Sequence, residues 1–560
     1  MPREHVYKHI GFSKLADHYF NEMIQRDPLT ATFLGEHQYD GLLPEVGVPA
    51  IDKEIAFYRS MRDSFNALPE RELSLDERLD RANMLLVCQM ALFLQEDLKR
   101  WRLGSDLSSI VGDSLFILFV RDFAPLAHRV ESMISRLKSV PMFLMSGRTL
   151  FQDVPPLWGK IFIESTDRLP ALFDSIAETI KGRVPNPLLQ DFTNAVTAAK
   201  KALNQHQTWF KNAIMPNANG DWALGAGPFQ ASLQIRRLGF TPGELRELGE
   251  TYLNQARDRL GQLSRHIVGG QTRSREELLK EAFIRVRSKS PTTFELVLDS
   301  YRDSVARSRS FVEQTAFATL PDQERLDIVE TPSYMSHLIP FAAYIHPERN
   351  ARPQKGLYLV TRAPGNDLSR HNFADISNTS VHEGYPGHHL QLAAANLHPS
   401  KLRAFANSIG LCEGWALYCE EAMKFRGFET GDDNIFVQTN DECWRAARVL
   451  IDLNIHQKTW TYEKGIQCLL DNTHIDPQAA EAELMRYTLT PGYPLSYLAG
   501  KHLLVKLKES LARKFAGDFT DRHFHDLVLY EGSIPLFLAQ EYYPQMLLET
   551  LSGNPARQNA

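Results

Sequence analysis

Apolar residues recur at helical spacing through the first 225 residues. The pattern predicts amphipathic helices at 14–33, 52–68, 76–101 and 124–142, another helix opening near Leu157, and a long helix over 188–215. No alternating strand pattern persists in this part of the chain. A turn-forming stretch, 217–227, then predicts a boundary near residue 225. We expect a helical region over 1–225 that forms one wall of a cleft and a catalytic region over 226–560, or one continuous compact body.

The second half also reads as mostly helical. Thr241 followed by Pro242 is typical of a helix start, a long helix is predicted over about 437–460, and a later one is predicted to end at Gly500. The best strand candidate is 355–361, apolar and rich in β-favouring residues. The predicted fold is therefore mainly α, with a small β-sheet beside the segment that follows this strand.

Composition narrows the class of protein. Hydrophobic content of 43% with 23% charged residues is typical of a globular protein, and a net charge of −6 without a basic tract argues against nucleic-acid binding. The first nine residues contain no apolar core of signal-peptide length, no stretch resembles a membrane helix, and the cysteines are sparse. We therefore expect a cytoplasmic protein without a membrane partner. The oligomeric state stays open, and a homodimer is one option.

The most informative segment is 380–391, which contains His382, Glu383, His388 and His389. The usual zinc motif has histidines four residues apart, but here Pro386 takes the place of the second histidine. On an ideal helix, which turns about 100° per residue, His389 would lie nearer to the direction of His382 than His388 does. Proline and the glycine after it predict a bulge, however, and two absorbed residues would put His388 in the ligand position. We favour His388, with His389 as the alternative.

A third metal ligand is expected from the apolar helical segment 410–421. Glu413 lies among Ala, Leu, Trp and Tyr residues, where an unpaired carboxylate is costly. His382, His388 and Glu413 would form a His/His/Glu site with one open position, the catalytic type of zinc site. Glu420, two turns further on the same face, is either a hydrogen-bond partner of a ligand histidine or a solvated helix end. One Zn²⁺ per chain is expected, although Mn²⁺ and Co²⁺ also suit these ligands.

These motifs resemble the bacterial DUF885 family, which is similar to the gluzincin zinc metallopeptidases. The resemblance extends to 28–35 near the start, to the Arg448, Asp452 and His456 series, and to 524–529 near the end. It implies a mostly helical zinc hydrolase and does not name a substrate. It also implies that the strand at 355–361 offers an edge to an extended peptide substrate; a plain strand in a small sheet is the alternative.

Arg448, Asp452 and His456 are spaced by four residues and therefore share one helix face. A surface series of ion pairs is the ordinary interpretation of this spacing. The place of these residues in the family pattern favours a site role instead. Asp452 would then fix the imidazole of His456, which would donate to the oxyanion of the transition state, while Arg448 would bind a substrate carboxylate.

The segment 486–497 supplies three further candidates. The guanidinium of Arg486 is suited to a carboxylate. Tyr497 is our first choice as a hydrogen-bond donor to the developing oxyanion. Tyr493 stands where the family usually has glutamine, so it is expected to affect substrate preference. For both tyrosines, packing in the core is the alternative.

The sequence thus predicts a zinc-dependent hydrolase that cleaves short peptides, with Glu383 as the general base. An arginine anchor for a carboxylate would favour a dipeptidase or carboxypeptidase. One alternative is a hydrolase of a non-peptide amide or amino-acid conjugate. A second alternative is a non-catalytic helical scaffold that binds peptides.

Overall fold

The computed structural model describes residues 7–269, 273–331, 339, 341–362 and 367–553. The fold is mainly α with one small sheet, as the sequence predicted. The chain divides into two compact units. The first unit contains Tyr7–Ser74 and Met84–Trp222, and the second contains Leu75–Asn83 and the described residues of Ala223–Ala560. The chain thus passes into the second unit close to residue 225, while a cleft wall formed by residues 1–225 stays a prediction.

The first unit is helical throughout its regular structure. Asp27 ends the first of its helices, because its carboxylate accepts the N–H groups of Leu29 and Thr30 at 3.1 Å each and so caps the next one. The single helix predicted over 14–33 is therefore two helices. The helices are α1 (Ile10–Arg26), α2 (Pro28–Leu34), α3 (Val48–Ala67), α4 (Leu75–Leu92, which begins in the second unit), α5 (Leu107–Val120), α6 (Leu126–Gly147), α7 (Pro156–Ile180) and α8 (Asn186–Trp209).

The second unit contains the remaining helices and the sheet. Thr241 caps α10 as expected, since its hydroxyl accepts the N–H of Glu244 while the Glu244 carboxylate accepts the N–H of Thr241. The helices are α9 (Ala226–Ile235), α10 (Pro242–Val268), α11 (Arg275–Ser288), α12 (Phe294–Gln314), α13 (Phe373–Glu383), α14 (His388–Ala395), α15 (Ile409–Phe425), α16 (Asp432–His456), α17 (Tyr462–Asn472), α18 (Pro477–Leu489), α19 (Ser496–Phe515), α20 (Asp521–Tyr530) and α21 (Leu536–Leu551).

The sheet has three strands, β1 (Glu324–Glu330), β2 (Ala342–Ile345) and β3 (Gln354–Val360), in the order β1-β3-β2. Strand β3 pairs in parallel with β1 and antiparallel with β2. The predicted strand therefore exists, but the expectation that it offers an edge to a peptide is wrong. Residues 357–360 of β3 are paired with β1 on one side and with β2 on the other, so this part of the strand offers no free edge to a peptide.

Helices α15 and α19 approach closely through glycines. A Cβ at Gly500 would overlap the carbonyl oxygen of Gly410, and a Cβ at Gly414 would press on the backbone of Gly500. The prediction that a helix ends at Gly500 is therefore wrong: α19 continues to Phe515, and the missing side chain serves helix packing instead. This close packing fixes the position of Glu413, the residue that precedes Gly414 on α15.

Two further features bear on the predictions. Within the described residues, no helix is long and apolar enough to cross a membrane. The five cysteines are free thiols in the interior. Cys412, which neighbours Glu413, has its pKa raised to about 11 by burial, so it stays protonated at neutral pH.

Candidate metal centre

The centre begins with a break in a helix. Helix α13 ends at Glu383 and α14 begins at His388, so the intervening residues, 384–387, form a turn. The N–H of Gly387 donates to the carbonyl of Val381 at 3.0 Å, and the N–H of Leu390 donates to the carbonyl of Gly384 at 3.3 Å. Both of these bonds span six residues rather than four, which absorbs two extra residues after α13.

Gly387 is required by this geometry. A Cβ at this position would overlap the carbonyl oxygens of His382 and Val381. The turn is also held from the side, because the indole N–H of Trp415 on α15 donates to the carbonyl of Pro386 at 2.8 Å. Helix α15 thus contacts the turn directly.

Three potential ligands come together at this turn. The Nε2 atoms of His382 and His388 lie 3.7 Å and 3.4 Å from the same carboxylate oxygen, Oε2 of Glu413. One ligand atom from each of the three residues lies within 4.8 Å of the others. The structure therefore brings together the three residues that the sequence proposed as metal ligands.

The two oxygens of Glu413 have different surroundings. Oε1 accepts a hydrogen bond from the hydroxyl of Tyr493 at 2.8 Å. Oε2 is buried and has no hydrogen-bond partner among the described residues. A buried carboxylate oxygen without a donor is costly unless a cation lies against it. Two histidine nitrogens and this oxygen are a donor set that suits a zinc ion.

A second carboxylate orients His382. Nδ1 of His382 lies 2.7 Å from Oε1 of Glu420, which is fully buried. Since a carboxylate only accepts hydrogen bonds, Nδ1 donates to Glu420, and Nε2, on the side of Glu413, is the ring atom left to bind a cation. The side-chain amide of Asn378 holds Glu420 in turn, donating to Glu420 and to Asp441 at 2.9 Å each. Glu420 is thus a partner of a candidate ligand and not a solvated helix end.

The charges around His382 favour a cation. Burial alone would lower the pKa of His382, but the neighbouring carboxylates of Glu413 and Glu420 raise it to about 10. Burial would raise the pKa of Glu413, but the two histidines hold it well below its usual range. The electrostatic potential at the centre is therefore strongly negative, and a bound cation would be stabilised there.

His389 lies elsewhere. It is fully buried, its Nε2 donates to Glu324 on β1 at 2.8 Å, and its Nδ1 accepts from the hydroxyl of Tyr344 on β2 at 3.1 Å. Glu324 also accepts from the hydroxyl of Tyr385. Burial raises the pKa of Glu324, but these hydrogen bonds outweigh it and hold the pKa below its usual value. His389 therefore connects α14 to the sheet and does not face Glu413.

The proposed base and oxyanion donor flank the three ligands. Glu383 follows His382 at the end of α13, is half-buried, and accepts no hydrogen bond from the residues that the structure describes. The ring of Tyr497 lies 5.8 Å from the ring of Tyr493, whose hydroxyl contacts Glu413. Glu383 thus adjoins the ligands because it follows His382 in the sequence, and Tyr497 adjoins them through its contact with Tyr493.

The two arginines share one partner. Arg448 and Arg486 donate to the same oxygen of Glu483, at 3.0 Å and 2.9 Å. The hydroxyl of Tyr487 donates to that oxygen as well, at 2.6 Å. Burial raises the pKa of Glu483, but the arginines lower it to about 2, so it is ionised at neutral pH. Glu483 lies three residues before Arg486 on α18, so helical spacing could have marked it as a partner of Arg486, but not of Arg448.

The structure does not bring His456 to the ligands. Its Nε2 donates to the backbone carbonyl of Tyr487 at 3.1 Å, and its ring stacks on Phe229. Asp452 accepts the N–H groups of Gly492 and Leu495 at 3.1 Å each, so it fixes the loop that carries Tyr493. The helix face shared by these residues is buried and is not a surface series of ion pairs. Asp452 thus acts on the site through a loop.

Taken together, the fold and the ligands define a mainly α protein with a candidate His/His/Glu metal centre. The sequence pattern of the DUF885 family, described as a bacterial protein of unknown function, matches residues 28–541. The chain therefore belongs to the DUF885 family.

Two solved structures share the fold. One, from Shewanella oneidensis, is described as a candidate lipoprotein of unknown function; it is 19% identical, with a TM-score of 0.77 over 96% of this chain and 100% of that one. The other, a candidate lipoprotein from Colwellia psychrerythraea, is 16% identical, with a TM-score of 0.80 over 96% of this chain and 99% of that one. At these identities the likeness shows the fold alone. A comparison with curated proteins found no match.

Replacing Glu420 with glutamine tests its contact with His382. We expect zinc affinity to fall roughly 10-fold, because the neutral amide no longer reinforces the basicity of the ligand histidine. Competition with a fluorescent zinc chelator measures the change. Glu421→Gln is the matched control, since Glu421 pairs with Lys501 and not with a histidine. Equal zinc affinity in the two variants would contradict this role.

Proposed function

We propose that this protein is a zinc-dependent hydrolase that cleaves amide bonds of short peptides. The observation that carries the proposal is the buried Oε2 of Glu413, which faces the Nε2 atoms of His382 and His388 and has no hydrogen-bond partner in the described part of the chain. Three ligands without a fourth protein ligand are typical of catalytic rather than structural zinc sites. The likeness to gluzincin metallopeptidases is part of this proposal.

A bound zinc ion would acidify a water molecule and polarise the scissile carbonyl group. The residues of the chain supply the remaining chemistry. Glu383 accepts a proton from the attacking water as the new carbon–oxygen bond forms. It then delivers that proton to the nitrogen as the carbon–nitrogen bond breaks, which leaves a carboxylate and an amine. Tyr497 donates a hydrogen bond to the developing oxyanion.

The sequence predicted that Tyr493 affects substrate preference, but its contact with Glu413 supports a different role. Its hydroxyl donates to Oε1 of Glu413 and so leaves Oε2 to face the histidines. We therefore assign it to orienting this carboxylate. Zinc bound through one glutamate oxygen leaves the open position that a hydrolase needs.

The presence of Glu383 favours a hydrolase over a non-catalytic peptide-binding scaffold. A peptide-binding scaffold with a structural metal would have no use for a half-buried carboxylate next to a ligand histidine and without a hydrogen-bond partner among the described residues. The same centre would, however, serve a hydrolase of other amides, so the substrate has to be found by experiment.

A substrate screen with controlled metal loading tests the proposal. The protein is stripped with a chelator, reloaded with zinc, manganese or cobalt, and incubated with di-, tri- and tetrapeptides and with N-acyl amino acids. We expect peptide cleavage that chelation abolishes and zinc restores. Cleavage of N-acyl amino acids alone would favour the second class of substrate. No turnover in any metal-loaded form would contradict the hydrolase proposal.

We also retain the prediction of a cytoplasmic location. It rests on the sparse cysteines, which are typical of a reducing compartment. The two structures of similar fold are described as candidate lipoproteins, which favours the opposite location. Fractionation of cells that express the gene from its own promoter would decide between them.

A further inference from the structure

An unbalanced positive charge lies beside the metal centre. Arg448 and Arg486 are both bonded to Glu483, whose single negative charge offsets only one of the two guanidinium groups. Oε2 of Glu483 already accepts three hydrogen bonds, because the hydroxyl of Tyr487 donates to the same oxygen that both arginines contact. One positive charge of this group of four residues therefore remains available to another anion.

The two arginines are held differently. The side chain of Arg448 is 7% exposed. Its guanidinium carbon lies 4.7 Å and 4.5 Å from the ring centres of Trp444 and Tyr497. Its Nε also donates to Tyr487 at 2.8 Å. Stacking and hydrogen bonding thus fix Arg448 in place, so it is suited to positioning its neighbours.

Arg486 is the accessible member of the pair. Its side chain is 38% exposed, and within the described part of the chain its guanidinium makes one hydrogen bond, to Glu483. Most of its five N–H donors are therefore free to bind a ligand. A planar guanidinium with free donors matches a carboxylate, which it binds through two parallel hydrogen bonds.

Aromatic rings connect this charge to the metal ligands. The guanidinium carbon of Arg486 lies 5.8 Å from the ring centre of Tyr493, and the hydroxyl of that tyrosine contacts Glu413. Arg486 is therefore separated from a candidate zinc ligand by one tyrosine side chain. An extended peptide advances about 3.3–3.6 Å per residue, so a short peptide can reach both the metal ligands and Arg486.

We propose that Arg486 binds a carboxylate of the substrate on the leaving-group side of the cleaved bond. The preferred substrates are short peptides that are cut close to a free carboxyl terminus. This inference rests on the proposed hydrolase function. An acidic side chain at the same distance would supply the same chemistry, and the experiment below distinguishes the two sources.

Three probes differ only in where the carboxylate lies: Ala-Ala-Ala, Ala-Ala-Ala-amide and Ala-Ala-Glu-amide. The zinc-loaded wild type is compared with Arg486→Lys, Arg486→Ala and the exposed control Arg513→Ala. We expect the wild type and the control to prefer the free acid over its amide by roughly 10- to 100-fold in kcat/KM, the value of a charge-assisted hydrogen bond. Arg486→Ala should bring this ratio near one, mainly through KM, and Arg486→Lys should restore part of it. Equally good cleavage of Ala-Ala-Glu-amide would place the carboxylate on a side chain.

Binding is measured separately by calorimetry, with the same peptides added to the Glu383→Gln variant with and without Arg486→Ala. We expect the free acid to bind roughly 10- to 100-fold more weakly when Arg486 is absent. If no peptide is cleaved but this Arg486-dependent binding is found, the carboxylate site stands and the hydrolase proposal fails. Equal use of acid and amide by the wild type, or no binding of either, would overturn the inference.

Discussion

Glu383→Gln should bind zinc as the wild type does and lose nearly all hydrolytic activity. The carboxylate of Glu383 is not among the three groups that face each other at the centre, so its loss leaves the ligands in place. Glutamine has nearly the same shape but cannot accept a proton from water. Removal of a general base typically lowers the rate by 10²–10⁴-fold, and we expect a fall of that order in kcat.

The measurement pairs zinc content with initial rates on the best peptide of the screen. Glu250→Gln, an exposed residue on α10, is the matched control and should retain full activity. A Glu383→Gln variant with zinc bound and ordinary kcat would show that another group accepts the proton. Loss of zinc together with activity would instead assign Glu383 to metal binding.

Gly387→Ala should lose both the metal and a large part of the stability of the second unit. The added methyl group would overlap two backbone carbonyl oxygens, those of His382 and Val381. These atoms belong to the last turn of α13, so they cannot move aside as the end of a long side chain could. The turn must open, and His388 then moves away from His382 and Glu413. We expect zinc affinity to fall by at least 100-fold and the free energy of unfolding to fall by about 1–3 kcal/mol, as for overpacked sites.

Gly227→Ala is the control for this substitution. Gly227 lies in α9, and a Cβ there would have nothing within 4 Å. Alanine at such a helical position is expected to be neutral or mildly stabilising. Urea unfolding and zinc titration of the two variants test the difference. Normal zinc affinity in Gly387→Ala would mean that the turn does not position His388.

Much of the centre could be predicted from local sequence. Proline and glycine between the histidines predict a bulge because of their own backbone properties, and counting residues through that bulge selects His388. Glu413 could be predicted because a carboxylate within an apolar helical segment needs a cation or a hydrogen-bond partner.

Contacts that depend on tertiary structure could not be predicted in this way. Glu483 and Asn378 are ordinary polar residues on helices until the fold places them against Arg448 and Glu420. The order of the strands belongs to the same class, because β3 has the same sequence whether it is central or at an edge. Gly500 misled the prediction, since a glycine that ends a helix and one that admits another helix have the same local pattern.

The spacing of Arg448, Asp452 and His456 correctly places them on one helix face but does not say what the face contacts. In the structure, Arg448 pairs with Glu483, and Asp452 accepts hydrogen bonds from the loop that carries Tyr493. His456 is buried and donates to a backbone carbonyl. Periodicity along one helix predicts which residues are neighbours, while their function depends on the surrounding elements.

The metal content of three proteins tests the ligand assignment most directly. Wild type, His388→Ala and His389→Gln are purified without added metal, reloaded with zinc, desalted and analysed by mass spectrometry, with circular dichroism to confirm folding. We expect one zinc per chain in the wild type, none in His388→Ala, and zinc retained in folded His389→Gln, because His389 contacts Glu324 rather than Glu413. Full zinc in His388→Ala with loss in His389→Gln, or no zinc in the reloaded wild type, would contradict a metal centre formed by His382, His388 and Glu413.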